Sequence, residues 1–247
     1  AGNVVGDDNT LLGLGAGYTL LGSNNASLGS FAGFKAHGDV NVMIGTEAGN
    51  NANSQYGVII GAKAGQDSFG GGNIMLGSGA GMASVGESNT IIGDGAGLGA
   101  TGNVNQISGR RAAVQMQGDY NVVSGTEAGT GTVGNHNVFT GTGAGAMTQG
   151  NSNVFTGRFS GVATQGNNNV AMGQLAGSLT YVDEATGDMR DRAGNAINTP
   201  IDLLVSKTVA IGSLALVESD RGMALGDNAY VASGLAGSVA LGAASVA

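Results

Sequence analysis

The sequence has no cysteine, no tryptophan, a single proline (Pro200) and few charges, nine basic and seventeen acidic residues in 247. Without cysteine there are no disulfides and no thiolate metal sites. The net charge of −8, with no cluster of Lys and Arg, argues against nucleic acid as a partner, because phosphate binding needs clustered cations. No run approaches the ~18–20 apolar residues of a membrane-spanning helix, so no membrane contact is expected of this segment. No leader peptide is visible at Ala1. Both ends lie inside repeat-like sequence, and the chain reads as a segment of something longer.

What the chain does contain is glycine, 49 residues of it, against a usual share of about 7%. Disorder goes with low hydrophobicity and high charge, the reverse of this composition. Collagen needs Gly at every third position and abundant Pro. A repeat architecture remains, and the sequence is strictly periodic. Asn recurs at Asn9, Asn25, Asn41, Asn73, Asn89, Asn105, Asn121, Asn137, Asn153 and Asn169, always 16 residues or a multiple apart, with Gly57 the one departure. Gly follows four residues later, from Gly13 to Gly173. Ala comes three further on, from Ala16 to Ala176, with Ser160 the one substitution. A second glycine column precedes the Asn by three, from Gly6 to Gly166, broken only at Ser54. Residues 1–177 are therefore eleven 16-residue repeats.

Between the Asn and the Gly lie three residues such as VMI (42–44) or VII (58–60). They are rich in β-branched residues, too short for a helix and bounded by turn formers, which predicts a strand. Asn tolerates the left-handed region and bonds its own backbone, and stacked amides can form a ladder. The Ala-Gly pair is read as a second, tighter strand and corner. The fold class expected is all-β, a parallel β-roll (β-solenoid) of 16-residue coils.

Many of these strands are apolar at all three positions. Met43, Ile59, Met75, Ile91, Phe139 and Phe155 form the middle column, and Val42, Val58, Ile74, Val122, Val138 and Val154 flank it. Strand residues alternate faces, and a strand apolar on both faces must be covered on both. One coil's interior covers one face; a second chain is the simplest cover for the other, so a homo-oligomer of closed symmetry is expected. The third position turns polar in the second half, at Ser108, Ser124, Thr140 and Thr156.

The register ends at Gly177. Residues 178–207 are read as a charged insertion that carries the only proline, with a turn signal at 183–188 that makes it a hairpin-like excursion. Coils resume over 208–247 as TVAIGSLAL (208–216), GMALGDNAYVA (222–232) and SVALGAASVA (238–247). These tail segments resemble the NSVAIGxxS-type repeats of YadA-like heads in trimeric autotransporter adhesins, and the 16-residue units resemble a longer variant of the same coil. The resemblance implies a left-handed, homotrimeric parallel β-roll at the surface of a Gram-negative bacterium, exposed from the outer membrane. It also implies attachment to host cells or to extracellular-matrix protein such as collagen. From the residues alone, parallel crossovers default to right-handed and nothing overrides that default. The collagen contacts implied by the resemblance fall on Val209–Ala215, Met223–Ala229 and Val239–Ser245, with Val209, Ile211 and Ser213 the first candidates.

Further candidates come from the residues themselves. Arg110 and Arg111 replace small residues in one coil, as a solvated pair or as a contact for an acidic ligand. The charged run Asp183 to Arg192, with Asp188 and Arg190, is a candidate ligand contact on a loop or a clasp between copies. Asp7, Asp39, Glu87, Asn103, Asp119, Asn135, Asn151 and Asn167 recur two residues before the Asn column. Their spacing is not that of a calcium roll and the column breaks at Ser23, Gln55 and Gly71, so turn formation is the reading. His37 and His136 have no carboxylate partner at catalytic or metal spacing. Glu47 and Glu127 lie five coils apart, about 24 Å at about 4.8 Å per coil, too far for a glycosidase pair. No catalytic, cofactor or metal site is expected. The functional expectation is a non-enzymatic adhesin head that attaches multivalently. A first rival is a carbohydrate-active β-helix enzyme, which would need carboxylates clustered on adjacent coils, and the repeat region has none. A second is a structural spacer or fibre segment; an ice-binding solenoid lacks the flat threonine array it would need.

Overall fold

A computed structural model describes residues 2–182, 188–191, 195–197 and 202–247. The described residues form strands and turns and no helix, and the fold is a parallel β-solenoid. The chain divides into two units, 1–121 and 122–247. In the first, the strands Thr10–Leu12, Ala26–Leu28, Val42–Ile44, Val58–Ile60, Ile74–Leu76, Thr90–Ile92 and Gln106–Ser108 pair in parallel, each residue opposite its equivalent one repeat on. In the second, Val122–Ser124, Val138–Thr140, Val154–Thr156 and Val170–Met172 continue the same pairing, and Val209–Ile211, Met223–Leu225 and Val239–Leu241 extend it through the tail.

The second strand expected at the Ala-Gly pair is absent from the 16-residue coils. Three β-turns run in succession there instead. In the coil after Asn73, the N–H of Ala80 donates to the Gly77 carbonyl at 3.2 Å, that of Met82 to Gly79 at 3.2 Å, and that of Ser84 to Gly81 at 3.1 Å. The third residue of each turn is left-handed, with φ of 63° at Gly79, 62° at Gly81 and 56° at Ala83, as in a type II turn. A strand cannot hold a left-handed residue at every second position. The left-handed residues bond alternately to the coil before and the coil after: Gly79 donates to Ala62, Gly81 to Ala96 and Ala83 to Gln66, each at 2.8 Å. The backbone is thus paired without a strand. The second site of β-pairing lies four residues before the Asn column, as single bridges such as Phe69 to Val85 and Val85 to Thr101.

Core volume explains why two kinds of coil exist. The middle strand residue points inward and is buried at Met43, Ile59, Met75, Ile91, Phe139 and Phe155. The residue six positions later is glycine in these coils. A Cβ on Gly161 would lie 2.2 Å from the Phe155 ring, and one on Gly81 2.6 Å from the Met75 sulfur. The tail coils reverse this division. Their middle residues are Ala210, Ala224 and Ala240, and the interior is filled from the opposite side by Val217 and Val231, both buried. With no large side chain to accommodate, that side forms a true second strand, Leu216–Val217 pairing in parallel with Tyr230–Val231. The expected second strand belongs to the tail alone.

The insertion leaves the ladder intact. Val170–Met172 pairs with Val209–Ile211, so the next coil is reached 39 residues on. Thr208 takes the Asn place, its N–H and hydroxyl donating to Asn169 Oδ1 at 3.1 and 2.9 Å. Leu203–Leu204 already pairs with Thr164–Gln165, which places 203–207 in the coil rather than in the insertion. The excursion itself is a hairpin, Thr180–Val182 antiparallel to Met189–Asp191. Most of its expected turn, 183–187, lies outside the described residues.

Two departures from the repeat pattern compensate one another. Gly57 lacks the Asn side chain, and a Cβ there would meet Ser54 Oγ at 2.5 Å and Asn41 Oδ1 at 3.0 Å. Ser54, the one break in the preceding glycine column, is buried, and its hydroxyl has no partner. Gly57→Asn alone is therefore expected to lose about 1–2 kcal/mol through overpacking. Combined with Ser54→Gly it restores both columns and is expected to exceed the parent by about 1–3 kcal/mol, from two or three recovered hydrogen bonds. Urea unfolding of the two variants checks the sign of each.

Candidate functional site

The surface of each unit is built from the outward positions of the coil. On the strand, the residues on either side of the buried middle one point away from the core. In Val58–Ile60, Ile59 is 1% exposed and Ile60 37%. Leu12, Ile44, Ile60 and Ile92 repeat this exposed third position in the first unit, one coil spacing apart or a multiple of it. In the second unit the position is hydroxylated at Ser124, Thr140 and Thr156 and apolar again at Met172, Ile211 and Leu241.

At the corner run two polar ladders of opposite sense. In the Asn ladder, the Oδ1 of one coil accepts the backbone N–H and the side-chain amide of the next Asn. Asn41 donates both to Asn25 at 2.9 and 3.0 Å, and Asn105 donates both to Asn89 at 2.9 and 3.1 Å. Two residues earlier, a side-chain oxygen accepts the N–H of the preceding coil: Ser23 donates to Asp39 at 2.7 Å, Glu87 to Asn103 at 2.8 Å and Asn103 to Asp119 at 2.6 Å. Of the residues weighed for calcium, Asp39, Asn103, Asp119, Asn151 and Asn167 thus have a structural task, closing the backbone between coils. Among the described residues no three His, Cys, Asp or Glu side chains converge on one point.

The residues singled out from the sequence do not gather. Arg110 and Arg111 are exposed on the turn face of the first unit, Arg111 in a left-handed turn position with φ of 54°. Val209 and Ile211 flank the buried Ala210 on the outward strand face of the second unit, and Ser213 is exposed just beyond the glycine corner. Asp188 and Arg190 belong to the hairpin, where Arg190 is paired with Tyr181 rather than with any coil strand. His37 and His136 are both exposed.

One concavity went unread in the sequence. A cleft of about 530 Å³ in the first unit is lined by Asn53, Gln55, Tyr56, Phe69, the run Gly70–Gly72 and Glu87. Tyr56 is 68% exposed and Phe69 48%. The sequence signal was there in pieces. Gln55 and Gly71 are breaks in the Asp/Asn column, and Ser54 and Gly57 are the breaks in two others. All four lie in or beside this cleft. A second exposed aromatic group, Tyr18 stacked on Phe34 at 5.5 Å with Phe31 edge-on at 5.6 Å, lies nearer the start of the chain.

No family model and no curated protein matches the chain. Among solved structures, a polySia-specific acetyltransferase aligns over 98% of this chain and 77% of its own, at 10% identity and a TM-score of 0.10. A likeness that low carries no argument about fold or activity.

Proposed function

We propose that the chain is the head of a Gram-negative surface adhesin, a non-enzymatic homotrimer that attaches to host cells or to matrix protein such as collagen. The observation that carries this reading is the outward strand face. Large aliphatic side chains, Leu12, Ile44, Ile60 and Ile92 among them, stand exposed in strict register. Rows of exposed aliphatics at this regularity mark a contact surface. A row repeating at about 4.8 Å is best matched by a surface with the same repeat, and another copy of this chain has it. In the second unit the tail motifs that resemble YadA-like repeats carry the same third strand position, at Ile211 and Leu241. In this reading Val209 and Ile211 belong to the contact between copies, and Ser213, Arg110 and Arg111 remain on the outside, available to a ligand. Three copies of each coil present every weak contact three times, and the effective concentration so created raises attachment without a deep pocket.

The test is binding of the chain to immobilised collagen and to cell layers, beside an Ile60→Asp variant that sets a charge in the row. Saturable binding that falls about tenfold or more in the variant, as lost avidity requires, supports the adhesin. Binding no greater than to serum albumin leaves a structural spacer, the second reading.

A further inference from the structure

We infer that the cleft between Tyr56 and Phe69 is a binding site for a neutral saccharide, a pyranose ring seated on the Gly70–Gly72 floor. This stretch of the stack leaves backbone bonds between coils unmade. In several coils of the first unit the ladder two residues before the Asn column uses its side-chain oxygens to close the backbone of the coil before, as Asp39 does for Ser23 and Asn103 for Glu87. Gly71 has no side chain to offer Gln55, and among the described residues the Gln55 and Gly71 amides find no acceptor. Both residues line the cleft, so its wall holds two backbone donors in adjacent coils, about 4.8 Å apart.

The polar side chains here are equally uncommitted. Among the described residues, the carboxamides of Asn53 and Gln55, the Tyr56 hydroxyl and the Glu87 carboxylate make no hydrogen bond, although Glu87 and Asn53 use their backbones in the ladder. Donors, acceptors and two aromatic rings thus surround a floor of three successive glycines, with no side chain rising from it. The volume of about 530 Å³ is within the range of small-molecule clefts.

The mixture selects the ligand class. A phosphate or sulfate would sit beside the Glu87 carboxylate on a chain of net charge −8, with no cation lining the cleft. A purely apolar ligand would strip water from the amides and the carboxylate without replacing their hydrogen bonds. A sugar ring fits both demands. Its C–H face carries the weak positive charge that the negative face of an aromatic ring attracts. Its hydroxyls donate to Glu87 and accept from the Gln55 and Gly71 amides, since a hydroxyl does both. The site lies within one chain and is independent of the proposed trimer and of collagen.

The experiment is saturation-transfer NMR on the whole chain with lactose, cellobiose and chitobiose, and with sialic acid and glucuronate as anionic comparators. Transfer to the ring C–H protons of at least one neutral disaccharide is expected, with none to the acids. Tyr56→Ala should weaken that binding about tenfold or more, as loss of a stacking anchor does. Gly71→Asn is the sharper variant. Asn holds the equivalent place in other coils, so it should supply the missing acceptor to Gln55, offset the 3.0 Å approach of its Cβ to the Gln55 carbonyl, leave the chain folded and abolish saccharide transfer. No transfer to any neutral sugar overturns the inference, as does transfer unchanged by both variants or stronger with the acids.

Discussion

Gly93→Ala is expected to cost about 3–6 kcal/mol, the sum of a forbidden backbone conformation and a steric collision with the next coil. Gly93 closes the strand Thr90–Ile92 and has a φ of +133°, far from the left-handed well near 60° that other residues tolerate. A Cβ there would lie 2.5 Å from the Gly109 carbonyl oxygen and 2.7 Å from its carbon. Backbone, not a flexible side chain, is in the way, so the two coils must part and their bonds with them. Gly95, two residues on, is the control. Its φ is 62°, and a Cβ would meet only Arg111 Cγ, at 3.5 Å. The same turn position is held by Lys63 and Arg111 in other coils, at φ of 58° and 54°. Gly95→Asn should therefore cost less than about 1 kcal/mol. Urea unfolding of both variants separates a glycine required by the fold from one that merely occupies a turn; equal costs would contradict the packing described.

The second large effect is in the Asn ladder. Asn105 is 2% exposed and its carboxamide makes four hydrogen bonds. The amide donates to Asn89 Oδ1 at 3.1 Å and to the Gly118 carbonyl at 2.9 Å, and the oxygen accepts from the Asn121 N–H at 2.9 Å and the Asn121 side chain at 3.1 Å. Asn105→Ala removes the ladder partner of the Gly118 carbonyl and of the Asn121 N–H at a corner where Asn105 and Asn121 are both buried. A loss of about 3–5 kcal/mol follows. Asn105→Asp keeps the shape and the acceptor, but turns the donor into a second oxygen facing Asn89 Oδ1 and the Gly118 carbonyl. At neutral pH it should be at least as damaging as alanine. Calorimetric melts give the order; an aspartate variant as stable as the parent would contradict a ladder of amides.

Much of this was legible in the sequence because the coil forces single residue types onto single places. A buried corner that must bond both neighbours selects Asn, a collision with a carbonyl selects Gly, and the inward middle position selects a large apolar residue. The turn face was misread for an equally physical reason. Ala and Gly carry little conformational preference in print, and left-handed residues there include Glu47, Lys63 and Arg111 as well as glycine, so the alternation is masked. The division of core volume between Phe155 and Gly161, or between Ala224 and Val231, depends on residues facing each other across the coil and has no local signal. The resumption of the coil at Leu203 was hidden because a two-residue strand of Leu-Leu resembles no column of the 16-residue repeat. The cleft was visible only as isolated irregularities. Their meaning appears once Gln55 and Gly71 are stacked in space and Tyr56 and Phe69 are placed beside them.

The outward aliphatic row also makes Ile60→Asp informative about the fold itself. Ile60 is partly solvent-exposed in one chain, so the charge should scarcely change the unfolding of an isolated chain, yet it should break any surface that buries the row. The measurement that tests the central proposal most directly is the solution mass of the chain by light scattering, over a wide concentration range, beside that variant. A homotrimer gives a concentration-independent mass three times the 24.0 kDa of one chain, and Ile60→Asp a folded monomer. A stable monomer of the unaltered chain, with Ile44, Ile60 and Ile92 left to water, would contradict it.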